Sequence, residues 1–420
     1  MVTLGIDFGT TNTSVAINED GRVRMLELDV GAPNAHILRS ALFFDLFGGI
    51  HVGQQAIDHY VEDVTSGRFL RSIKTLLPST LFTETTIGAR RYDAVRIVST
   101  FLSALHQTLT ERGISADCVT IGRPVVFSAD PQIDRMAEAR LRQAAEHAGF
   151  KNISFQLEPI AAALSFENSL AKDETRTVLV ADFGGGTTDF TVMRVGKERS
   201  LDRRKDILAL GGVYVGGDTF DSELMWHSVG PSIGRNARYR NSSDRWRPMP
   251  ESVTQLARSW HTIPLLRERK TRERILRILD TTTEPEAIQN LLRLIDDNSG
   301  IALFQAVERA KCELSLQDAA WIEFDGLAHV VKELVSVEAF DEVVRHGIDS
   351  IERCLLDVMR DSGVAPGDID NVSLAGGTSQ VPAVQKMLSR HFGAQKLTSQ
   401  DAFTSVAFGL GLSTSWSFAA

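Results

Sequence analysis

The sequence has few cysteines and no long apolar run, and both absences exclude whole classes of protein. Cys118, Cys312 and Cys354 are far apart and form no Cys-x-x-Cys pair, which excludes a disulfide framework and a cysteine-based zinc module. No stretch approaches the ~18 uninterrupted apolar residues that a membrane helix needs, and no basic leader precedes Asp7. We therefore expect a cytoplasmic protein without membrane contacts.

The familiar signatures of nucleotide-binding and hydrolytic enzymes are also absent. There is no Gly-x-x-x-x-Gly-Lys-Ser/Thr run, so a P-loop is excluded, and the segment from Gly184 to Asp189 lacks the third glycine of a dinucleotide-binding turn. Neither His-Glu-x-x-His nor Gly-x-Ser-x-Gly occurs. Other glycine-rich turns therefore decide whether this chain handles nucleotides.

Size and composition are those of an ordinary folded protein. The chain has 420 residues, of which 43% are hydrophobic and 24% charged, and this length predicts about two to three domains. The net charge of −9 argues against wrapping by nucleic acid and against adhesion to an anionic membrane.

The charge is unevenly distributed along the chain. Segment 234–277 contains twelve basic and four acidic side chains, a net charge of +8, so the remaining residues carry −17. Tyr239, Trp246 and Trp260 lie among these arginines. The segment is either a solvated helical surface or a docking surface for a client polypeptide or another protein partner. Nucleic acid is the less favoured partner, although aromatic side chains between arginines can stack on bases.

A short pattern occurs twice in the chain. Asp7-Phe8-Gly9 and Asp182-Phe183-Gly184 each lie between two apolar, strand-like segments, and they are separated by 175 residues. This separation is too long for a solenoid repeat. It predicts two duplicated lobes, each beginning with a strand, a glycine-rich turn and a second strand.

Strands and helices alternate in both lobes, which favours an α/β fold. We expect lobe I at 1–177 with an inserted subdomain at about 40–110, which shows two helix candidates and fewer strand signals. Lobe II is expected at 178–420 with an insertion at about 222–304. Residues 131–149 are predicted to form a helix that ends at a glycine.

Three glycine-rich turns follow apolar strands, and each includes a hydroxyl side chain. They are Gly9-Thr10-Thr11, Gly184-Gly185-Gly186-Thr187 and Gly376-Gly377-Thr378. Glycine lets the backbone approach a phosphate closely, so that several N–H groups can donate to it. One such turn is weak evidence, but three in one chain predict a phosphate-binding site.

Asp7 and Asp182 end apolar strands, where an unpaired carboxylate is costly. Each could accept hydrogen bonds from its own turn and only shape it. Alternatively, the two could face each other between the lobes and hold a hydrated Mg²⁺ ion that bridges phosphate oxygens. Asp189 and the run from Gly216 to Asp221 could add to this cluster or cap a helix.

Three motifs resemble the phosphate-1, phosphate-2 and adenosine motifs of the actin, hexokinase and heat-shock ATPase superfamily: Ile6-Asp7-Phe8-Gly9-Thr10-Thr11-Asn12, Asp182-Phe183-Gly184-Gly185-Gly186-Thr187-Thr188-Asp189 and Leu374-Ala375-Gly376-Gly377-Thr378-Ser379-Gln380-Val381-Pro382. The nearest resemblance is to the ATPase domain of the 70-kDa heat-shock chaperones, through Glu158-Pro159-Ile160-Ala161-Ala162-Ala163, Gly216-Gly217-Asp218-Thr219-Phe220-Asp221, Glu308-Arg309-Ala310-Lys311 and Val406-Ala407-Phe408-Gly409. The resemblance runs from residue 4 to about residue 410. It implies an actin-like ATPase fold, in which two duplicated ribonuclease-H-like lobes enclose a nucleotide cleft.

The resemblance also implies roles for individual residues. ATP or ADP would bind with Mg²⁺, and Asp7 and Asp182 would hold the metal. The residues implied in catalysis are Lys74, Glu158, Asp182 and Thr187. Those implied in nucleotide binding are Gly9, Thr10, Thr11, Asn12, Gly184, Gly185, Gly186, Thr187, Gly216, Gly217, Asp218, Glu308, Lys311, Ser315, Gly376, Gly377 and Thr378.

Two positions depart from the family pattern. Cys312 and Gln380 stand where the family has two arginines that sandwich the adenine, and neither side chain is a planar cation. Base affinity and adenine preference are therefore open.

The length also bears on function, because it leaves no room for the family's peptide-binding domain. We expect a stand-alone ATPase body that acts as a chaperone or as an ATP-driven conformational switch. The alternatives are a small-molecule or sugar kinase of the same superfamily, and a nucleotide-binding actin-like structural or regulatory protein.

Overall fold

The structure is a computed structural model. It describes residues 2–32, 34–62, 67–128, 130–168, 170–171, 174–196, 203–241, 243–259, 262–297, 299–398 and 404–413. Trp260, one of the three aromatic residues in the basic segment, lies outside the described residues.

The first part of the chain folds around one mixed sheet. Its elements are β1 (Val2–Phe8), β2 (Asn12–Glu19), β3 (Arg22–Met25), β4 (Leu38–Arg39), β5 (Ala41–Asp45), β6 (Ile50–Val52), α1 (Gln54–Glu62), β7 (Gly67–Arg71), β8 (Thr85–Ile87), β9 (Arg90–Tyr92), α2 (Ala94–Glu111), β10 (Cys118–Arg123), α3 (Pro131–His147), β11 (Ile153–Leu157) and α4 (Glu158–Glu167). The sheet has the order β11-β10-β1-β2-β3, and β4 also pairs with β2.

The second part folds around another mixed sheet. Its elements are β12 (Thr175–Phe183), β13 (Thr188–Gly196), β14 (Ile207–Val213), α5 (Gly217–Ser228), β15 (Arg238–Arg240), β16 (Trp246–Pro248), α6 (Glu251–Ala257), α7 (Arg269–Leu279), α8 (Pro285–Asp296), α9 (Gly300–Leu314), β17 (Ala319–Phe324), β18 (Val331–Ser336), α10 (Val337–Ser362), β19 (Asn371–Ala375), α11 (Pro382–Phe392), β20 (Leu397–Thr398) and α12 (Ser405–Ser413). This sheet has the order β14-β13-β12-β19-β20.

The two sheets have the same topology. β1 is antiparallel to β2 and parallel to β10, and β12 is likewise antiparallel to β13 and parallel to β19. The repeat seen in the sequence at Asp7 and Asp182 therefore extends to the order and direction of the strands. The domain boundary between residues 177 and 178 stays a prediction.

Both central strands are covered on their two faces, as their nearly continuous apolar sequences predict. In β1, Leu4, Ile6 and Phe8 belong to a buried cluster with residues of α2 and α3. Gly5 faces the other side, where a Cβ atom would lie 2.6 Å from the backbone carbon of Leu410 in α12. A glycine at this position therefore allows α12 to pack against the sheet.

Helices α4 and α12 connect the two sheets. α4 packs against β12 and β13 through a buried cluster that includes Val178 and Met193, whereas α12 lies against β1 and β2. The two helices also pack on each other, and a Cβ atom at Gly409 would overlap the carbonyl oxygen of Ala161. This close backbone crossing joins the two halves of the molecule.

The local predictions agree with the structure with one exception. The helix predicted at 131–149 is present as α3, and Gly149 follows it with φ = +97°. Segment 40–110 contains the two predicted helices α1 and α2, but it also contains β5 to β9, more strand than its sequence indicates. These strands are three to five residues long, too short for a clear alternating pattern.

Candidate functional site

The two glycine-rich hairpin turns have the same backbone geometry. Gly9 donates its N–H to the carbonyl of Asn12 at 3.0 Å, and Gly184 donates to the carbonyl of Thr187 at 2.9 Å. Asp7 is paired with Ser14 across the first hairpin and Asp182 with Asp189 across the second. The turns thus repeat with the same separation of 175 residues as their motifs.

Ser40, which the sequence analysis missed, forms hydrogen bonds that stabilise the first turn. Its hydroxyl donates to the carbonyl of Gly9 at 2.8 Å, and its N–H donates to the carbonyl of Thr11 at 2.9 Å. The Thr13 hydroxyl lies 2.9 Å from that of Ser40. Thr10 lies in the same turn, whose backbone these contacts fix at Gly9 and Thr11.

The first and second turns lie against each other. A Cβ atom at Gly185 would overlap the hydroxyl of Thr11. That hydroxyl is buried and has no hydrogen-bond partner among the described residues. At Gly186, by contrast, a Cβ atom would enter open space. Where the two turns meet, the Thr11 hydroxyl is therefore an unsatisfied donor, and there is open space next to Gly186.

The Gly216-Gly217 turn packs on the second turn. Gly217 donates to the carbonyl of Gly184 at 3.1 Å, and Asp218 donates to the carbonyl of Gly185 at 2.7 Å. A Cβ atom at Gly216 would lie 2.6 Å from both of these carbonyl oxygens. Such a short distance to backbone atoms excludes any side chain at Gly216 while the turns stay in place.

The third glycine-rich turn reaches the same point. The Thr378 hydroxyl donates to the carbonyl of Gly184 at 3.2 Å. Gly376 has φ = +76°, and a Cβ atom there would overlap the carbonyl of Phe183, so this position requires glycine. Gly377 follows directly and begins a short 3₁₀ helix. All three predicted turns thus converge in space.

A cluster of buried charges lies beneath the turns. Lys74 is 8% exposed, and its ammonium group donates to Glu158 Oε1 at 2.6 Å. Burial disfavours the charge on Lys74, but the Glu158 and Asp7 carboxylates hold its pKa above the usual value. Lys74 is therefore a fixed, charged ammonium rather than a solvated surface lysine.

The aspartates of the cluster have strongly raised pKa values. Burial and the charge of Glu158 raise the pKa of Asp7 to about 8, although Lys74 opposes the shift. Burial, Glu158 and Asp189 raise the pKa of Asp182 to about 7. Desolvation penalises both carboxylates, and one lysine does not offset them. A cation between the two would remove this penalty.

Thr187, at the end of the second turn, contacts a third aspartate of the cluster. Its hydroxyl donates to Asp189 Oδ2 at 3.0 Å. Burial raises the pKa of Asp189 to about 6, although this hydrogen bond lowers it. A threonine hydroxyl keeps its acceptor lone pairs when it donates, so Thr187 can still accept a hydrogen bond from a water molecule.

The donor chemistry fits Mg²⁺. Among the described residues, no group of three or more His, Cys, Asp or Glu side chains is arranged to hold a metal ion. Mg²⁺ is usually bound by one or two carboxylates together with waters and substrate phosphates, rather than by a cage of protein ligands. Asp7 and Asp182 are two buried carboxylates of the type that such a site uses.

Lys74 is positioned by the short segment on which it lies. It belongs to one turn of 3₁₀ helix, Ile73–Leu76, which follows Ser72 in a left-handed conformation with φ = +55°. Arg140 of α3 donates to the carbonyls of Leu77 and Ser79 at 2.7 and 2.9 Å. The sequence analysis missed Arg140, whose contact lies 61 to 63 residues away along the chain.

The residues predicted around the nucleoside form two ion pairs. Lys311 donates to Asp221 Oδ2 at 2.7 Å and to the carbonyl of Gly217 at 3.3 Å. Glu308 lies 3.3 Å from Arg39, which also donates to Asn12 at 3.1 Å. Lys311 therefore contacts protein groups rather than pointing freely into the cleft, and the sequence analysis missed Arg39.

A cavity of about 250 Å³ lies beside these residues and is lined in part by Arg71, Asp218, Phe304 and Glu308. Arg71, which the sequence analysis also missed, forms an ion pair with Asp218 Oδ1 at 3.1 Å. Against the effect of burial, Arg39 and Arg71 hold the pKa of Glu308 below its usual value.

Three other residues near the nucleoside positions make few contacts. Ser315 ends α9 and contacts the carbonyl of Lys311 at 3.5 Å. Cys312 and Gln380, which replace the family's arginines, are both exposed. Neither of these two exposed side chains is a cation.

Comparison with known proteins gives a consistent result. The sequence pattern of the family described as "Hsp70 protein" matches residues 72–238 and 289–415. The chain is similar to "Chaperone protein DnaK" of Metamycoplasma hominis, with 25% identity over 395 residues that cover 92% of this chain and 54% of the relative. It is also similar to "Chaperone protein dnaK" of Emiliania huxleyi, with 25% identity over 97% of this chain and 58% of the relative.

A third relative, "Chaperone protein DnaK" of Mycoplasmopsis synoviae, is 26% identical over 94% of this chain and 55% of its own length. The chain thus spans somewhat more than half the length of these curated relatives. The predicted actin-like ATPase fold of the α/β class is confirmed by the family match and by the two sheets of equal topology. None of the described helices is both long and apolar enough to span a bilayer.

Proposed function

The chain belongs to the Hsp70 protein family, and we propose from this that its cleft binds Mg-ATP and hydrolyses it slowly, as the ATPase body of a chaperone or ATP-driven conformational switch. The family includes ATP-binding heat-shock chaperones, and their ATPase activity is the general precedent. The supporting observation is the convergence of three glycine-rich turns on two buried carboxylates and one buried lysine.

The turns would bind the phosphates of the nucleotide. Gly9 to Asn12 and Gly184 to Thr187 present backbone N–H groups where the two hairpins meet, and the unsatisfied Thr11 hydroxyl is a further donor. Backbone donors in such a turn favour an anion. Beside them, Gly186 leaves open space into which a phosphate can fit without displacing a side chain.

The charged residues would carry the chemistry. When bound, Mg²⁺ would supply positive charge to the phosphate oxygens from a position held by Asp7 and Asp182. The Lys74 ammonium would stabilise charge on the transferred phosphoryl group, since such reactions depend mainly on positioning and electrostatics. Thr187 would orient a water molecule, and Glu158 and Asp189 are the nearby carboxylates that can accept its proton.

The residues proposed to contact the nucleoside agree less closely with the family pattern than the residues proposed to contact the phosphates. Glu308, Lys311, Ser315, Gly377 and Thr378 are proposed to contact the ribose and base, with Lys311 retaining its ion pair to Asp221. Client polypeptides are proposed partners by analogy with the chaperone relatives, and the predicted cytoplasmic location stays a prediction.

Hydrogen exchange tests the proposed site. Addition of Mg-ATP should slow amide exchange in the turns at 9–12, 184–187 and 216–218, because these N–H groups would then donate to the nucleotide or be buried by it. The hairpin β17–β18 serves as an internal control and should not change. Equal exchange in all four regions with and without Mg-ATP would argue against both binding and switching.

The ion pair between Arg39 and Glu308 joins the two parts of the chain and gives a prediction about nucleotide release. Arg39→Ala should remove the contact to Glu308 and accelerate ADP release by about two- to fivefold, because a partly exposed ion pair contributes about 0.5–1 kcal/mol and such losses appear mainly in dissociation rates. Stopped-flow release of a fluorescent ADP analogue measures this effect. Arg345→Ala, which breaks the exposed pair with Glu342 on α10, is the matched control and should release ADP at the wild-type rate. A release rate for Arg39→Ala that equals the control would contradict the role of this contact.

A further inference from the structure

The basic segment is not used by the proposed function. The match to the family pattern ends at residue 238 and resumes at residue 289, so most of the +8 segment 234–277 lies between the two matched parts. In the structure this stretch forms the β15–β16 hairpin, α6 and α7. Its chemistry therefore has to be explained from its own contacts.

Helix α7 has an apolar face that packs inward and a basic face that does not. Ile275 and Ile278 are buried in the core. Lys270, Arg274 and Arg277 are exposed and have no acidic partner among the described residues; Arg274 contacts only Ser252 Oγ at 3.2 Å, and Arg277 only a backbone carbonyl. They are spaced by four and three residues and so lie along one face of the helix.

The lack of partners on this face is selective. Two other arginines of α7 are paired, Arg269 with Glu273 and Arg272 with Asp296, each at 2.9 Å. Like charges four residues apart on a helix are destabilising by a few tenths of a kcal/mol. An unpaired basic stripe thus slightly destabilises α7 itself, and it is the kind of surface that an anionic partner would complement.

The adjacent hairpin extends the basic face. The chain after α7 pairs with β15, where Arg240 donates to the carbonyl of Thr281 at 3.3 Å and Thr283 donates to the carbonyl of Arg238 at 2.8 Å. We define the basic surface as the exposed cations of α7 and the hairpin that have no acidic partner among the described residues: Arg238, Arg245, Arg247, Lys270, Arg274 and Arg277.

The composition of this surface indicates a carboxylate-rich partner. Eleven of the twelve basic residues in 234–277 are arginine, whose planar guanidinium forms paired hydrogen bonds with carboxylates or phosphates. Binding of single-stranded nucleic acid usually adds a series of aromatic rings for base stacking. Here Trp246 is the one exposed ring among the described residues of 234–277, and the Arg240 guanidinium lies 4.9 Å from its centre.

We propose that the basic surface docks an acidic helical segment of a partner polypeptide. The four- and three-residue spacing of Lys270, Arg274 and Arg277 matches a helix that carries Asp or Glu at the same spacing. Most of the surface lies between the two matched parts of the family pattern, so docking there would not involve the residues of the proposed nucleotide site. This inference is independent of ATP hydrolysis.

Fluorescence anisotropy with a labelled, alanine-based helical peptide tests the proposal. The peptide has Glu at positions i, i+4 and i+7. The whole chain should bind this peptide at low salt, and its affinity should fall as the salt concentration is raised. The triple variant Lys270→Glu, Arg274→Glu and Arg277→Glu should bind at least about tenfold more weakly. The matched control reverses three exposed arginines of α10, Arg345→Glu, Arg353→Glu and Arg360→Glu, and should keep wild-type affinity at the same net charge.

A double variant of the hairpin, oligothymidylate binding and sedimentation test the proposal further. Arg245→Ala with Arg247→Ala on the hairpin should weaken the peptide several-fold, even if the triple variant folds poorly. Equal affinities for the two triple variants, or no binding by the wild type, would overturn the proposal. Tighter binding of a labelled oligothymidylate of equal charge would make the surface a nucleic-acid site, and sedimentation showing salt-sensitive self-association would make its partner a second copy; either result rejects the proposed partner.

Discussion

Replacing Lys74 with alanine is expected to lower the rate of phosphate release from bound ATP by about 100- to 1,000-fold, the usual effect of removing one positioned electrostatic group. The ammonium is buried, charged and fixed by Glu158 at 2.6 Å, so its removal takes away the positive charge of this cluster. Nucleotide affinity should change by less than about tenfold, because the backbone donors of the turns are proposed to supply most phosphate contacts. Single-turnover phosphate release and equilibrium binding of ATP measure the two quantities separately.

The control for Lys74 is a lysine in an exposed ion pair. Lys332→Ala breaks the contact with Glu323, in which both side chains are 55% exposed, and should leave phosphate release unchanged. Lys74→Arg should restore little activity, since a guanidinium does not fit the site of a compact ammonium. Near wild-type turnover in Lys74→Ala would remove this residue from the proposed catalytic set.

Asp182→Asn is expected to stabilise the nucleotide-free chain while abolishing its stabilisation by Mg-ATP. Burial and neighbouring carboxylates raise the pKa of Asp182 from 3.8 to about 7, so the folded chain binds this proton more tightly than the unfolded chain. The contribution of this proton to the free energy of unfolding is therefore fully present below about pH 4, the pKa in the unfolded chain. It is lost as the pH rises to about 7, the pKa in the folded chain. At pH 8 the ionised carboxylate should destabilise the empty cleft by on the order of 4 kcal/mol, and asparagine avoids this loss.

The pH dependence distinguishes this effect from a general change in packing. The gap in thermal midpoint between Asp182→Asn and the wild type should be largest at pH 8 and shrink towards pH 5, where the aspartate is protonated. Mg-ATP should then raise the midpoint of the wild type but not that of the variant. Asp361→Asn, at a position with a 64% exposed side chain, is the control. A wild type more stable than the variant at pH 8 without nucleotide would contradict the prediction.

The turns of the site could be predicted because their geometry is set by local sequence. Gly9 and Gly184 each close a four-residue hairpin that depends on glycine and small polar residues. Asp7 and Asp182 hold the same strand position one residue before an aromatic side chain. A repeat with these residues at fixed spacing has few other structural explanations, so the sequence leads directly to two facing turns.

The supporting residues could not be predicted, because they are ordinary residues whose contacts are distant in the chain. Arg39 meets Glu308 across 269 residues and Arg71 meets Asp218 across 147. Neither arginine belongs to a motif, and Ser40 is one serine among many. Contacts of this kind become visible only when the two sheets are placed side by side.

Lys311 illustrates a different limit. Its motif predicts a side chain beside the ribose, whereas the structure places its ammonium against Asp221 and Gly217. A buried ammonium needs a nearby carboxylate to remain charged, and Asp221 lies one helix turn after Asp218 in α5. The motif therefore does not show what the ammonium of Lys311 contacts, and its role beside the nucleotide stays a prediction.

Phosphate release from ATP by the wild-type chain tests the central claim most directly. It is measured with ATP alone, with a panel of sugars, and with an unfolded polypeptide, alongside Asp182→Asn in each condition. The account predicts slow release from ATP alone that needs no sugar and is lost in the variant. Release that occurs only when a sugar is added, with the phosphate transferred to it, would show a kinase on the same fold and contradict the account.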